Sequence, residues 1–257
     1  MAGFTIATWN VNSIRVRLSQ VLDWLKTNQP DILALQETKV IDESFPWQDF
    51  QNIGYQAYYA GQKTYNGVAF LSKNPLGKIA ADLPNLQDPQ RRILGAIYKD
   101  IYLLNLYVPN GERVGSEKYF YKLSWLSRIK DYLEQSLYQY PKLIILGDFN
   151  IAPTNDDVYN PVRWDEKILC STPEREKLKE IIGLGFYDSF RLFIQEQNSF
   201  SWWDYRQNSF MHNRGLRIDL ILISKALISY CNSCRIDRAP RSSDRPSDHT
   251  PIVCSFN

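Results

Sequence analysis

The chain has 257 residues, with 30 lysines and arginines against 28 aspartates and glutamates, so its formal charge is only +2. Its 44% apolar, 14% aromatic and 23% charged residues make a globular composition and exclude a disordered, collagen-like or coiled-coil chain. Apolar runs fall far short of the roughly 20 residues a membrane helix needs. Met1–Ile6 shows no basic segment followed by an apolar one, so neither a membrane span nor a secretory signal is expected. The four cysteines, Cys170, Cys231, Cys234 and Cys254, are too few for a disulfide framework and point to a reduced cytoplasm.

In chain order the pattern is mixed α and β. Phe4–Trp9 reads as a strand and gives way after Asn10 to a helix with Leu18, Val21, Leu22 and Leu25 on one face. Pro30 and Asp31 break that helix before a short buried strand, Ile32–Gln36. Tyr55–Tyr59, Gly67–Ser72, Ile93–Tyr98 and Ile101–Tyr107 read as further strands. A second amphipathic helix carries Leu126, Ile129, Leu133 and Leu137, stops at Pro141, and leads into the strand Leu143–Leu146. Ser171 and Glu174 form a capping box that starts a third helix, with Leu178, Ile181 and Ile182 inside. Strands Leu216–Ile223 and Thr250–Phe256 close the series. No repeat or linker divides the chain, so one domain is expected: a mixed-sheet α/β sandwich rather than an all-parallel Rossmann sheet.

Polar residues recur where apolar strands end: Asn10, Glu37, Asp148 with Asn150, and Asp248 with His249. Strand ends along one edge are where sites are built, although most polar residues there are ordinary loop residues. Asp219 differs, because it sits inside Leu216-Arg-Ile-Asp-Leu-Ile-Leu-Ile223, where an unpaired carboxylate is costly to bury. Its partner is either Arg217 or a distant group. If that group is His249, the two make either a catalytic dyad or a structural ion pair. Carboxylates and asparagines without cysteine favour a hard cation, Mg²⁺ or Mn²⁺, over Zn²⁺. Cys231 and Cys234 lack a second pair at zinc-site spacing and read as partly buried thiols, and His212 reads as a surface residue. Arg206, Arg214, Arg217, Arg235, Arg238, Arg241 and Arg245 gather near Phe200-Ser-Trp-Trp-Asp-Tyr, a pairing of cations and aromatic faces that suits phosphate contact and stacking. Trp202 and Trp203 point to opposite faces, so both cannot line one core.

Together these stretches resemble the exonuclease III family of abasic-site endonucleases, within the endonuclease/exonuclease/phosphatase superfamily. The resemblance runs over essentially the whole chain, through Thr8-Trp-Asn-Val-Asn-Ser-Ile-Arg15, Leu35-Gln-Glu-Thr-Lys39, Gly61-Gln-Lys63, Asn66-Gly-Val-Ala69, Gln90-Arg-Arg92, Leu106-Tyr-Val-Pro-Asn110, Gly147-Asp-Phe-Asn150 and Pro246-Ser-Asp-His249. Phe200-Ser-Trp-Trp-Asp-Tyr-Arg206 and Asn213-Arg-Gly-Leu-Arg-Ile-Asp219 are its most specific segments.

The resemblance implies a four-layer sandwich, with two mixed sheets face to face, helices outside, and a site at one end. It implies Glu37 as the principal metal ligand, with Asn10 and Asp248 near the ion. Asp148 would activate or orient water, Asn150 would hold that aspartate and the phosphate, and His249, oriented by Asp219, would stabilise charge on the scissile phosphate. Tyr107 and Asn110 would touch the phosphate or leaving group, and Asn12, Arg92 and Arg206 would contact DNA. Trp202, Leu216 and Ile218 would wall a pocket for a base-less sugar. The implied activity is metal-dependent hydrolysis 5′ to an abasic site in duplex DNA, with 3′→5′ exonuclease action and cleaning of blocked 3′ ends, by a monomer in the cytoplasm. Two departures matter: Asn12 stands where some relatives have aspartate, and Leu216 where some have tryptophan. The rivals are another phosphodiesterase of the superfamily or a non-specific DNase, and a non-catalytic nucleic-acid-binding module. Secreted nucleases of the superfamily use disulfides and a second catalytic histidine, for which this chain offers only His212, outside any matching motif. A binding module would have a degenerate site, whereas here every expected position is filled.

Overall fold

A computed structural model of the chain describes residues 3–83 and 88–257. The first half runs β1 (Phe4–Asn10), α1 (Ile14–Asn28), β2 (Ile32–Gln36), α2 (Trp47–Gln51), β3 (Gln56–Ala60), β4 (Val68–Ser72), β5 (Gly77–Ala80), β6 (Ile93–Tyr98) and β7 (Ile101–Tyr107). The second half runs α3 (Glu117–Gln139), β8 (Leu143–Asp148), α4 (Pro161–Trp164), α5 (Thr172–Gly183), β9 (Phe186–Asp188), β10 (Asp219–Ser224), β11 (Cys231–Ile236) and β12 (Ile252–Phe256).

The strands form two six-stranded sheets, ordered β11-β12-β1-β2-β4-β3 and β5-β6-β7-β8-β10-β9. Each has one parallel pair, β1 with β2 and β7 with β8, bridged by the crossover helices α1 and α3. The remaining pairs are antiparallel, so both sheets are mixed, as expected.

Side chains alternate across a strand, and that period builds the layers. Ile6, Ile32, Ala34 and Phe70 of the first sheet meet Leu103, Ile144, Leu146, Ile221 and Ile223 of the second in the central core. On the outer face of the first sheet, Ala7, Trp9, Leu33 and Leu35 receive Val21, Trp24 and Leu25 of α1. On the outer face of the second, Leu104, Leu106, Ile145 and Leu220 receive Leu126, Ile129 and Leu133 of α3 and Leu178 and Ile181 of α5. Four layers result. The capping box at Ser171 and Glu174 is present.

The strand read as Leu216–Ile223 begins at Asp219 instead. Leu216 lies before it, bridged to Val158 and Trp202. Three strands carried no clear sequence signal: β5, β9 and β11, each at a sheet edge. A bulge between Cys231 and Ser233 breaks the alternation of β11. The thiol nearest Cys231 is therefore Cys254, at 3.4 Å, rather than Cys234.

Candidate active site

The inner-face positions that build the core run out into polar residues at one end of the sandwich. Ile6-x-Thr8-x-Asn10, Ile32-x-Ala34-x-Gln36, Leu103-x-Asn105-x-Tyr107 and Ile144-x-Leu146-x-Asp148 keep the same period, as does Asp219-x-Ile221-x-Ile223 read in the opposite direction. The register aligns Asn10 with Gln36, Tyr107 with Asp148, and Asp148 with Asp219. These polar groups therefore share one rim between the sheets. Gly147 lets β8 close on β7 just before Asp148: at φ +141° a Cβ there would lie 1.9 Å from the Leu106 carbonyl oxygen. Beneath the rim, the Gln36 amide donates to Thr8 (2.9 Å) and Asn105 (2.7 Å), and Asn105 donates to the carbonyls of Leu35 and Ala69. The two sheets are thus locked by a polar seam under the site.

Asp148 is the hub. Its Oδ2 accepts from Asn10 Nδ2 at 2.8 Å and Asn150 Nδ2 at 3.3 Å, and its Oδ1 accepts from the Asn150 backbone N–H at 2.8 Å. The Asn10 amide also donates to Glu37 Oε1 at 2.8 Å. Asn110 Nδ2 donates to Asn150 Oδ1 at 3.1 Å. Asn12, Glu37 and Asn150 have φ of 44°, 52° and 50°. Left-handed backbone at non-glycine residues is strained and gathers at functional sites, and Glu37 has the least local compensation for it.

His249 completes the group. Its Nδ1 lies 2.8 Å from Asp219 Oδ2, which also accepts the Ser201 hydroxyl at 2.7 Å, and its Nε2 lies 3.7 Å from Asp148 Oδ2. Asp219 accepts at that oxygen, so Nδ1 is the ring's donor and Nε2 faces Asp148. Burial disfavours the charged ring, but Asp219, Asp148 and Asp248 together outweigh it, and the histidine is raised to about 10. Burial, with Asp219 and Glu37 adding, pushes the Asp148 carboxyl up to about 7 against the pull of His249 and Asn10. Burial next to Glu37 and Asp148 holds the Tyr107 phenol well above its usual value, so it remains a proton donor.

Asp248 is engaged outside this hub, by Asn12 Nδ2 (3.0 Å) and Trp202 Nε1 (3.0 Å). Lys39 bridges Asn12 and Glu37, with Nζ at 2.5 Å and 2.7 Å. The Arg92 guanidinium stacks on the Tyr107 ring at 4.7 Å, and both line a cavity of about 650 Å³ with Asn110. Arg206 is exposed, paired with Asp204, and lines a recess of about 270 Å³ beside Trp202 and Trp164. Leu216 and Ile218 are 0% and 1% exposed, packed with Val158 and Leu169 under those two tryptophans. Of the three residues expected to wall the sugar pocket, only Trp202 reaches the surface.

Arg217 does not pair with Asp219; it binds Asp157 and Asp188, each at 2.7 Å. Trp203 is core, and Arg238 and Arg241 stack on it. Arg241 is itself buried, which removes it from the set of phosphate-contacting arginines. Sequence reasoning passed over Ser201, Lys39 as a bridge, and Lys122. The first two are contacts between distant segments, while Lys122 does show a signal, taken up below.

Glu37, Asp148 and His249 each bring one donor atom within 4.8 Å of the others. Among the described residues, the rim carboxylates Glu37, Asp148, Asp219 and Asp248 are directly ion-paired only by Lys39 and His249. A buried excess of carboxylate calls for a counter-charge, so this donor set fits a divalent metal. The Endonuclease/Exonuclease/phosphatase family profile matches residues 7–249. Exodeoxyribonuclease III of Haemophilus influenzae is 36% identical, over 97% of this chain and 98% of that protein. Among solved structures, the 3′ phosphatase NExo from Neisseria, bound to product DNA hairpin, superposes with a TM-score of 0.97 at 41% identity, covering 99% of each chain. An AP endonuclease from Archaeoglobus fulgidus superposes with a TM-score of 0.95 at 38% identity, again over 99% of each. The chain belongs to the endonuclease/exonuclease/phosphatase family, in its exodeoxyribonuclease III and AP endonuclease branch.

Proposed function

We propose that this enzyme hydrolyses the phosphodiester 5′ to an abasic site in duplex DNA and trims blocked 3′ ends, with Mg²⁺ or Mn²⁺ as its cofactor. The observation that carries this reading is the convergence of Glu37, Asp148 and His249 within 4.8 Å, with Asp219 behind the histidine. The likeness to an AP endonuclease and to a 3′ phosphatase supports both substrates.

Glu37 would hold the metal, with Asn10 beside it and Asp248 nearby. A bound divalent cation would compensate charge on the phosphoryl and leaving oxygens. Asp148, held by Asn10 and Asn150, would orient the attacking water and take its proton. His249, charged and aimed by Asp219, would donate from Nε2 to the phosphoryl oxygen. Tyr107 and Asn110 would donate to the phosphate or leaving group, and Arg92, Asn12 and Arg206 would contact the DNA strands. Trp202 would meet the sugar, with Leu216 and Ile218 as its support. Four free thiols accord with a cytoplasmic protein, and no helix among the described residues is long and apolar enough to cross a membrane. We read the acting species as a monomer. An oligonucleotide duplex with one abasic analogue, assayed beside a 3′-phosphate duplex with and without Mg²⁺, tests the proposal. Metal-dependent cleavage of both is expected, and binding without cleavage would leave a binding module.

A further inference from the structure

Lys122 falls on the buried stripe of α3, spaced by three or four residues with Tyr119, Leu126, Ile129 and Leu133. A lysine on such a stripe is anomalous, because desolvating an ammonium is costly unless it is paired and hydrogen bonded. Its side chain is fully buried, and none of the steps above uses it. The ammonium pairs with Glu174 and donates to two carbonyls, those of Asn150 at 2.7 Å and Asn110 at 3.1 Å. Glu174 is held in turn by the backbone N–H groups of Leu169 and Ser171, both at 3.1 Å, and by the Ser171 hydroxyl at 2.6 Å. The start of α5 and the second turn of α3 thereby grip two separate active-site loops.

Those carbonyls belong to the two asparagines that reach into the hub. Asn110 donates to Asn150, and Asn150 donates to both oxygens of Asp148. Both loops turn through left-handed backbone, at Asn150 (φ 50°) and at Gly111 (φ 90°), next to Asn110. Methionine could fill the space of the lysine stem, so packing alone does not explain the charge. What the ammonium adds is direction, since one cation fixes both peptide planes at once. We infer that Lys122, braced by Glu174, is a positioning residue that sets the angle at which Asn110 and Asn150 meet Asp148. The inference rests on the assignment of Asp148 to the reaction.

The double variant Lys122→Met/Glu174→Gln removes both charges together, so no unpaired buried ion remains. With the abasic-analogue duplex and saturating Mg²⁺, kcat should fall about 10- to 100-fold, the usual effect of removing a partner that orients reacting groups. KM should stay within about threefold, because the outlying DNA contacts assigned to Arg92, Asn12 and Arg206 are untouched. Leu133→Ala, on the same helix away from the site, serves as control: it should lower Tm and leave the kcat of the folded enzyme unchanged. In an Asn110→Ala background the double variant should cost much less than in the wild type, because both act through the same Asn110–Asn150–Asp148 relay. The inference is overturned if kcat falls only in step with the folded fraction, as in the control, or if the loss is fully additive with Asn110→Ala. Asp148→Asn separates the two readings. If Asp148→Asn stays active, the site assignment itself is wrong; if it is inactive while the double variant turns over normally, only the role of Lys122 is wrong.

Discussion

Arg217 and Asp219 stand two residues apart at the entrance to β10, and both are fully buried, yet their surroundings differ in kind. Arg217 is balanced: Asp157 and Asp188 bind it, and Arg191 shares Asp157. Asp219 has His249 and Ser201 on one oxygen, and it shares that histidine with Asp148. Around it the carboxylates outnumber the cations. A compensated buried cluster holds segments together, whereas an uncompensated one is poised for something from outside, here a metal and a phosphate. Charge balance thus distinguishes the pair we read as structural from the pair we assign to the reaction, where burial does not.

The largest effect should come from neutralising the unbalanced side. Asp219→Asn removes the carboxylate that orients and charges His249, and kcat should drop by about 10³- to 10⁴-fold with little change in Tm. A near-normal rate in steady-state cleavage would make Asp219 structural and erase the contrast with Arg217.

On the balanced side the result should be reversed. Asp157→Asn leaves Arg217 with one partner and should lower the unfolding free energy by about 3–5 kcal/mol, while the folded enzyme keeps its kcat. Urea melts with parallel kinetics would show it. The pH dependence follows from the same group. Burial alone would raise the Asp157 carboxyl, but Arg217, with Arg191 and the Thr154 hydroxyl adding, outweighs burial and holds it below the usual carboxylate range. The stability it contributes is therefore complete above the unfolded value, about pH 4, and is lost as pH falls through the depressed folded value. The gap between wild type and Asp157→Asn should be constant near neutrality and shrink in acid. A gap that widened in acid would mean that Asp157 is not held by Arg217.

The smallest effect concerns substrate choice. Trp202→Ala should cost about 1–3 kcal/mol in abasic-site cleavage, the range for a stacking aromatic, and less in removal of a 3′ phosphate. Equal losses on the two substrates would show that Trp202 supports the cleft generally through its bond to Asp248.

Much of this was legible in the sequence because the core and the site share one period. Ile144-x-Leu146-x-Asp148 names the inner face and the rim end of β8 together, and β2, β6 and β7 were read with their observed bounds. The missed strands lie at sheet edges, where one side has no neighbour and alternation is weak. In β11 the bulge also breaks the period. The identity of the Asp219 partner was not legible, because His249 is 30 residues away and Arg217 is far nearer in sequence. Register decides it: Asp219 opposes Asp148 at the rim, which puts His249 within its reach. Leu216 and Ile218 were rightly read as apolar, but pattern alone does not say that tryptophans cover them.

The central claim, that the carboxylate excess at the rim is there to hold a metal for phosphodiester hydrolysis, is tested most directly by titrating Mg²⁺ against single-turnover cleavage of an abasic-analogue duplex for wild type and Glu37→Gln. Wild-type cleavage should be absent in EDTA and saturate with Mg²⁺, and Glu37→Gln should need at least about tenfold more Mg²⁺ to reach its half-maximal rate while binding duplex DNA as tightly as wild type. Full cleavage in chelator, or identical Mg²⁺ curves for the two proteins, would contradict it.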